Sequence, residues 1–332
     1  MRKLTRQLLP FGSLLLLVIA LALLEPERFL TMDNLLNVLR RSSVNAILAV
    51  GMTWVIISAG IDLSVGSTLA VASMAGAWTL HQLSNTTAAV QGPEAGFLSV
   101  QVALIGTFAG GLVGVVCGLV NGALVTRLKL PPFIVTLGTM SAFRGLAYVM
   151  NDGQPYNVPG YTFLGGGSLA GVPVSILVAV GFILLGSWAL NHTRLGRHVY
   201  AIGSNREASF HAGIDIGGSL TAVYAWCGLC VGAAAMIATS RTVSAQPTAG
   251  ISLELDIIAA VVIGGASLAG GRGTIAGAIV GTLLIGFLRN GCTLLGISTN
   301  VQLIVIGVII IAAAALDRAA RSAAAAHGGG AE

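Results

Sequence analysis

Charge is what this chain of 332 residues has least of: Asp, Glu, Lys and Arg together make up 9%. Soluble globular domains run near a quarter charged. A chain so poor in charge, and 55% hydrophobic, cannot keep a wet surface around a core. That excludes a soluble domain and points to a polytopic membrane protein. Acids are scarcer still, twelve in all, and they fall almost wholly at the ends of apolar runs and in loops. An ion-coupled secondary transporter needs acids or histidines within its spans to carry the ion. It stays as the second reading, because Asp62 interrupts an apolar stretch. An enzyme buried in the membrane fits less well, since no span gathers histidines, cysteines or paired acids. The four cysteines, Cys117, Cys227, Cys230 and Cys292, form no disulfide framework. Cys227 and Cys230 share a helical face in an apolar run and read as packing residues, not metal ligands. No metal and no cofactor are expected. The P-loop pattern Gly-x-x-x-x-Gly-Lys-Ser/Thr does not occur, so any ATP must be hydrolysed by a partner. No basic run is interleaved with aromatics, so the net charge of +5 speaks for membrane orientation and against nucleic acid.

What the chain has instead is apolar length and glycine. Ten apolar runs fall near 8–24, 43–59, 67–83, 100–126, 132–150, 172–190, 218–240, 254–270, 275–290 and 299–316. Arg2, Lys3 and Arg6 precede the first run, but Glu25-Pro26-Glu27-Arg28 follows it in place of a small-residue cleavage site, so it reads as an uncleaved span. Leu35, Leu36 and Leu39 share a face in 33–41, which suggests a surface-lying helix before the second span. Ten spans with the N-terminus inside place eleven of the seventeen Lys and Arg residues in the cytoplasm. Both termini are then cytoplasmic. Gly106, Gly110, Gly111, Gly114, Gly118 and Gly122 lay a glycine strip along the fourth run, which favours close helix packing in lipid. Pro131-Pro132 starts the fifth. The expected fold is all-α, with about ten transmembrane helices, a broken or re-entrant segment and a cytoplasmic coupling helix. Residues 1–318 form one transmembrane domain, and the Ala- and Gly-rich stretch 319–332 is expected to be a flexible cytoplasmic tail.

The longest polar stretch between spans is 191–217, NHTRLGRHVYAIGSNREASFHAGIDIG. It carries Arg194, Arg197, Arg206 and three of the five histidines. Ser204 with Glu207 three residues later spells a capping box, and Gly213 a helix stop. The short helix between them has a shape that a soluble partner could hold. The alternative is a capped connector. Glu207-Ala208-Ser209 with Gly213 four residues on resembles the Glu-Ala-Ala-x-x-x-Gly loop of binding-protein-dependent ABC importer permeases, with Ser209 where Ala is usual. In that family the loop helix docks in a cleft of the ATPase subunit, so the resemblance implies coupling roles for Ser204, Arg206, Glu207, Ala208 and Gly213.

Other segments extend the resemblance. Ala59-Gly60-Ile61-Asp62-Leu63-Ser64-Val65-Gly66-Ser67 breaks a spanning stretch. Broken helices in membranes line cavities or lie buried in protein, and an acid there is a functional candidate. The alternative is that Asp62 caps the next helix through the amides of Ser64 to Ser67. The stretch resembles a signature of the ribose-type permeases, and Gly-Ile-Asp recurs at 213–215. Thr136-Leu137-Gly138-Thr139 with Arg144-Gly145 resembles another family segment. So does 244–273, from Ser244-Ala245-Gln246-Pro247 to Gly270-Gly271-Arg272-Gly273. Glu254 and Asp256 open a helix there, where the dipole favours anions; the alternative is contact with the substrate. The resemblance covers about 33–318. It implies a permease subunit of an ABC importer for a monosaccharide, ribose or a similar sugar, in a bacterial inner membrane. It further implies an ATPase subunit, a periplasmic sugar-binding protein and a second permease copy, a homodimer or a heterodimer. A polyol path wants amides, hydroxyls and aromatic faces. The candidates are Asn45, Trp54, Asp62, Asn121, Phe133, Thr136 and Phe143, each of which also reads as ordinary packing.

Overall fold

A computed structural model describes residues 2–87, 93–309 and 311, with side chains from 11–84, 99–309 and 311. The chain runs α1 (Arg2–Leu24), α2 (Met32–Ile57), α3 (Val65–Thr87), α4 (Pro93–Arg127) and α5 (Pro132–Val149). Then come β1 (Tyr156–Asn157), α6 (Phe163–Gly166), β2 (Ser168–Leu169), β3 (Val172–Pro173) and α7 (Val174–His192). They are followed by α8 (Arg194–Ser204), α9 (Arg206–His211), α10 (Ile216–Thr242), β4 (Ser244–Ala245), α11 (Leu253–Ile263), α12 (Ile275–Leu294) and α13 (Thr299–Ile309). The strands form two short antiparallel ribbons, β1 with β4 and β2 with β3. Among the described residues, four segments are long and apolar enough to cross a membrane: Ser99–Arg127, Val174–His192, Ile216–Thr242 and Ile275–Leu294. The protein is therefore an all-α polytopic membrane protein. The expected tail, 319–332, lies outside the described residues.

α2 is the central post, buried from Ser42 to Ile57 apart from Asn45. Thr31 starts it by accepting the Asn34 amide at 3.3 Å, and paired amide bonds between Asn34 and Asn290 tie it to α12 at 2.8 and 3.1 Å. The glycine strip of α4 has the expected use. A Cβ on Gly114 or Gly118 would strike the α10 backbone at Gly228 or Tyr224, and one on Gly110 would strike Met236. Only bare backbone lets the helices come so near, and close approach is how helices adhere where lipid removes the hydrophobic drive. Gly111 has open space where its own Cβ would be, but its backbone lies where a Cβ on Gly232 of α10 would come. Leu104, Phe108 and Leu112 of α4, and Leu184 and Trp188 of α7, face outward, as lipid-facing positions must.

Two expectations need correction. Residues 33–41 are the first turns of α2 and not a separate surface helix, because no Gly or Pro interrupts the chain between Thr31 and Ser42. The run 254–270 is helical only to Ile263. Gly265, Gly270 and Gly271 beyond it adopt φ of +94°, +84° and +70°, which glycine reaches without the steric cost other residues bear.

Candidate functional site

Between α7 and α10 the polar stretch folds into two helices at an angle. Thr193 caps α8 by accepting the Gly196 amide at 3.2 Å. Asn205 is extended, at φ −155° and ψ 104°, and turns the chain into α9. Its Oδ1 accepts the Ala208 amide at 2.9 Å, and the Ser209 hydroxyl donates back to the Asn205 carbonyl at 2.8 Å. The expected capping box is thus corrected. Ser204 is the last residue of α8, with helical backbone, whereas a cap needs extended backbone. Asn205 caps in its place, and the helix has six residues. Gly213 is the stop, at φ +77°. Its amide donates to the Phe210 carbonyl at 3.0 Å and the Ile214 amide to the Ser209 carbonyl at 3.1 Å, which satisfies the free carbonyls of the last turn.

Ser204, Arg206, Glu207, Ala208 and Gly213 all lie on the exposed side of this knob. With them stands Phe210, 67% exposed, its ring edge against His211 at 5.7 Å. Sequence reasoning missed it. The six-residue helix is too short to show a periodic apolar face, and only the fold reveals that Ser209 is buried and Phe210 is turned outward.

The knob is fixed to the membrane part through α8. Gly203 packs on the Ile57 carbonyl at the end of α2, with no room for a Cβ. The Gly271 amide donates to the same carbonyl at 2.8 Å. Gly270 fits between Ala59 and the Gly203 carbonyl, and Gly271 lies against Ser204. The Tyr200 hydroxyl donates to the Gly273 carbonyl at 2.8 Å, and burial pushes its pKa up, so it stays a donor at neutral pH. Three segments therefore meet backbone to backbone: the end of α2, the end of α8, and the turn after α11. Glycine is required at each contact because a side chain would separate the pieces.

Just past Ile57 the chain leaves the helix, with Ala59 at φ 62°, and α3 begins at Val65. Asp62 is 4% exposed in this break. Its Oδ1 accepts the Ser64 amide at 2.8 Å and the Ser64 hydroxyl at 2.7 Å. Asn121 of α4 donates to the Ser64 hydroxyl at 2.7 Å, and the Thr136 hydroxyl of α5 donates to the Ile61 carbonyl at 3.1 Å. Asp62, Asn121 and Thr136 are thus brought together from three parts of the chain. The capping alternative for Asp62 describes its bonds, through Ser64. Tyr224 of α10 joins the group unforeseen: a Cβ on Gly60 would lie 3.0 Å from its hydroxyl. The other path candidates lie elsewhere. Trp54 is buried against Trp226, with ring centroids 6.0 Å apart. Asn45 is half-buried on α2. Phe133 is 52% exposed at the start of α5, and Phe143 packs at the edge of the apolar cluster around Met74 and Met236.

Residues 34–314 match the family described as branched-chain amino acid transport system / permease component. The chain is 42% identical over 306 residues to the ribose import permease protein RbsC of Escherichia coli (strain K12), covering 90% of this chain and 89% of that one. It is 44% identical over 306 residues to RbsC of Bacillus subtilis (strain 168), with the same coverage. It is 33% identical over 308 residues to the galactose/methyl galactoside import permease protein MglC of Escherichia coli (strain K12), covering 89% of each. No solved structure matches. The chain belongs to the family of branched-chain amino acid transport system permease components.

Proposed function

We propose that this chain is the membrane subunit of an ABC importer that translocates a monosaccharide, ribose or a sugar close to it. It is not an enzyme: a partner ATPase hydrolyses the ATP, and a periplasmic binding protein delivers the sugar. The observation that carries the reading is the exposed, capped α9, joined to the end of α8, which packs backbone to backbone on the end of α2 just before the break that contains Asp62. The names of the relatives supply the sugar class, since they are import permeases for ribose and galactose.

The mechanism follows from that connection. A partner gripping α9 through Phe210, Arg206 and Glu207 pulls on α8. Because Gly203 and Gly271 hold the Ile57 carbonyl, displacement passes into the α2–α3 break. There Asp62, Ser64, Asn121 and Thr136 link the break to α4 and α5, so both helices feel it. Asp62, Asn121 and Thr136 are the positions of this group through which the sugar path opens.

The ten apolar runs act as ten spans, the break is a discontinuity within them, and residues 1–318 make one permease domain. α9 and both termini face the cytoplasm, on the Lys and Arg distribution. Two copies assemble, most simply as a homodimer, because one chain offers one α9 while ABC ATPases work as two sites. The test uses proteoliposomes holding the chain with its ATPase and binding protein. ATP should drive uptake of D-ribose, and a proton or sodium gradient imposed on vesicles holding the chain alone should not. Accumulation on an ion gradient without ATP would overturn the reading in favour of a secondary transporter.

A further inference from the structure

The stretch between β4 and α11 descends into the protein without forming a helix. At its upper end Ala245 pairs with Tyr156, whose ring lies 6.0 Å from that of His81 on α3. At its lower end Gly250 lies against Gly66, in the first turn of the same helix. His81 and Gly66 are fifteen residues apart, about 22 Å of helix rise. The stretch thus runs along much of a helix that starts at the Asp62 break. Gly250 and Ser252 are left-handed, at φ 71° and 63°. Arg144 of α5 holds the irregular backbone in place by donating to the Pro247 and Ala249 carbonyls, both at 2.6 Å.

One side of this stretch is open. Gln246, Thr248 and Ser252 are exposed and Glu254 is half-exposed, within Coulombic reach of Arg144. Irregular backbone and polar side chains at membrane depth do not face lipid; they lie in protein or line water. The exposed donors and acceptors are an amide and two hydroxyls. The Glu254 carboxylate is balanced by the Arg144 guanidinium, and neighbouring Asp256 is paired with Arg289 at 2.6 Å, so these groups carry no net charge. A neutral wall of amide, hydroxyl and carboxylate groups suits a neutral polyhydroxylated ligand.

We propose that Gln246, Thr248 and Glu254, on the stretch held by Arg144, form a wall of the aqueous path that contacts the passing monosaccharide; this rests on the importer reading above. Glu254 accepts from sugar hydroxyls, Gln246 and Thr248 exchange hydrogen bonds with them, and Arg144 positions the stretch.

The experiment uses thiol labelling of the full chain, with its ATPase and binding protein, in proteoliposomes. The native cysteines are all buried, which keeps the background low. Thr248→Cys should react with a charged, membrane-impermeant thiol reagent about tenfold faster than Leu184→Cys on the outward face of α7, because reaction needs a hydrated thiolate. D-ribose should slow labelling of Thr248→Cys where sucrose does not. Adding Glu254→Gln should raise the ribose concentration for half-protection about tenfold, as expected for loss of a bond to a charged acceptor. If Thr248→Cys fails to co-purify with the ATPase, Gln246→Cys serves with the same expectations. Labelling no faster than at Leu184→Cys, or labelling that ribose leaves unchanged, overturns the proposal. These outcomes are separate from the importer reading, which fails instead if the unmutated complex takes up no sugar with ATP.

Discussion

Gly-Ile-Asp occurs twice, at 60–62 and 213–215, and both acids do the same local work. Asp62 accepts the Ser64 amide at 2.8 Å ahead of α3, and Asp215 accepts the Gly218 amide at 2.9 Å ahead of α10. Their surroundings differ. Asp215 is exposed next to the α9 knob, and water can replace what it provides. Asp62 is 4% exposed, and the hydroxyl it holds is also held by Asn121 of α4. The same three residues make a helix start at the surface and a junction of helices inside. The tripeptide does not decide between the two; the depth at which its carboxylate lies does.

The connection between the two regions is the place to strike hardest. Gly203→Val puts a branched side chain where the Ile57 carbonyl already sits. Overpacking of this kind costs about 3 kcal/mol, and here the obstacle is backbone, which cannot rotate away. We expect lower membrane levels and a lower unfolding midpoint in detergent, read by scanning fluorimetry. Substituting the two acids tests the comparison itself. Asp62→Ala leaves the Ser64 amide and hydroxyl buried without their acceptor and should cost about 2 kcal/mol. Asp215→Ala removes an exposed cap and should cost about 1 kcal/mol. Equal losses in chemical unfolding would mean that burial adds nothing to the inner site. Asp62→Asn keeps an acceptor, so it should leave expression intact while cutting uptake. Normal uptake at normal protein level would leave Asp62 as a cap only. The smallest effect on folding belongs to Phe210→Ala, within about 0.5 kcal/mol, since the ring is mostly exposed. Its effect on ATPase affinity should be about tenfold or more, as for an aromatic anchor seated in a partner's pocket. An undiminished affinity would show that the ring is not gripped.

Much of this was legible because membrane segments advertise themselves by apolar length. Helices α3, α4, α5, α7, α10 and α12 each cover the run read for them, within a few residues at most ends. Gly213 was readable as a stop because few residues other than glycine tolerate its φ of +77°. The glycine strip of α4 was readable from four-residue spacing, though its partners on α10 were not. Where sequence reasoning failed, the deciding fact was distant or subtle. Ser204 and Asn205 are both good caps, and the choice fell to Asn205 because Ser204 is held in α8. The close fit of Gly203, Gly270 and Gly271 around the end of α2 brings to it residues more than a hundred positions further along the chain, and no local pattern announces it. Thr136 was readable as a family segment, but its bond to the Ile61 carbonyl came only with the fold.

The central claim is that α9 is the handle by which a partner ATPase works the Asp62 break. Gly213→Val reaches that claim most directly. It has open space for its side chain, so packing is untouched, but its φ of +77° penalises a β-branched residue by about 1 kcal/mol. The helix end, and with it the projection of Phe210, should shift while the membrane part folds as before. The measurement is recovery of the ATPase on the tagged Gly213→Val permease, read beside ATP-driven ribose uptake and the detergent unfolding midpoint. The account predicts a near-normal midpoint, weakened ATPase recovery and lost uptake, with Glu207→Ala showing a milder form of the same pattern. Undiminished ATPase recovery with undiminished uptake would contradict it and leave α9 as a connector between spans.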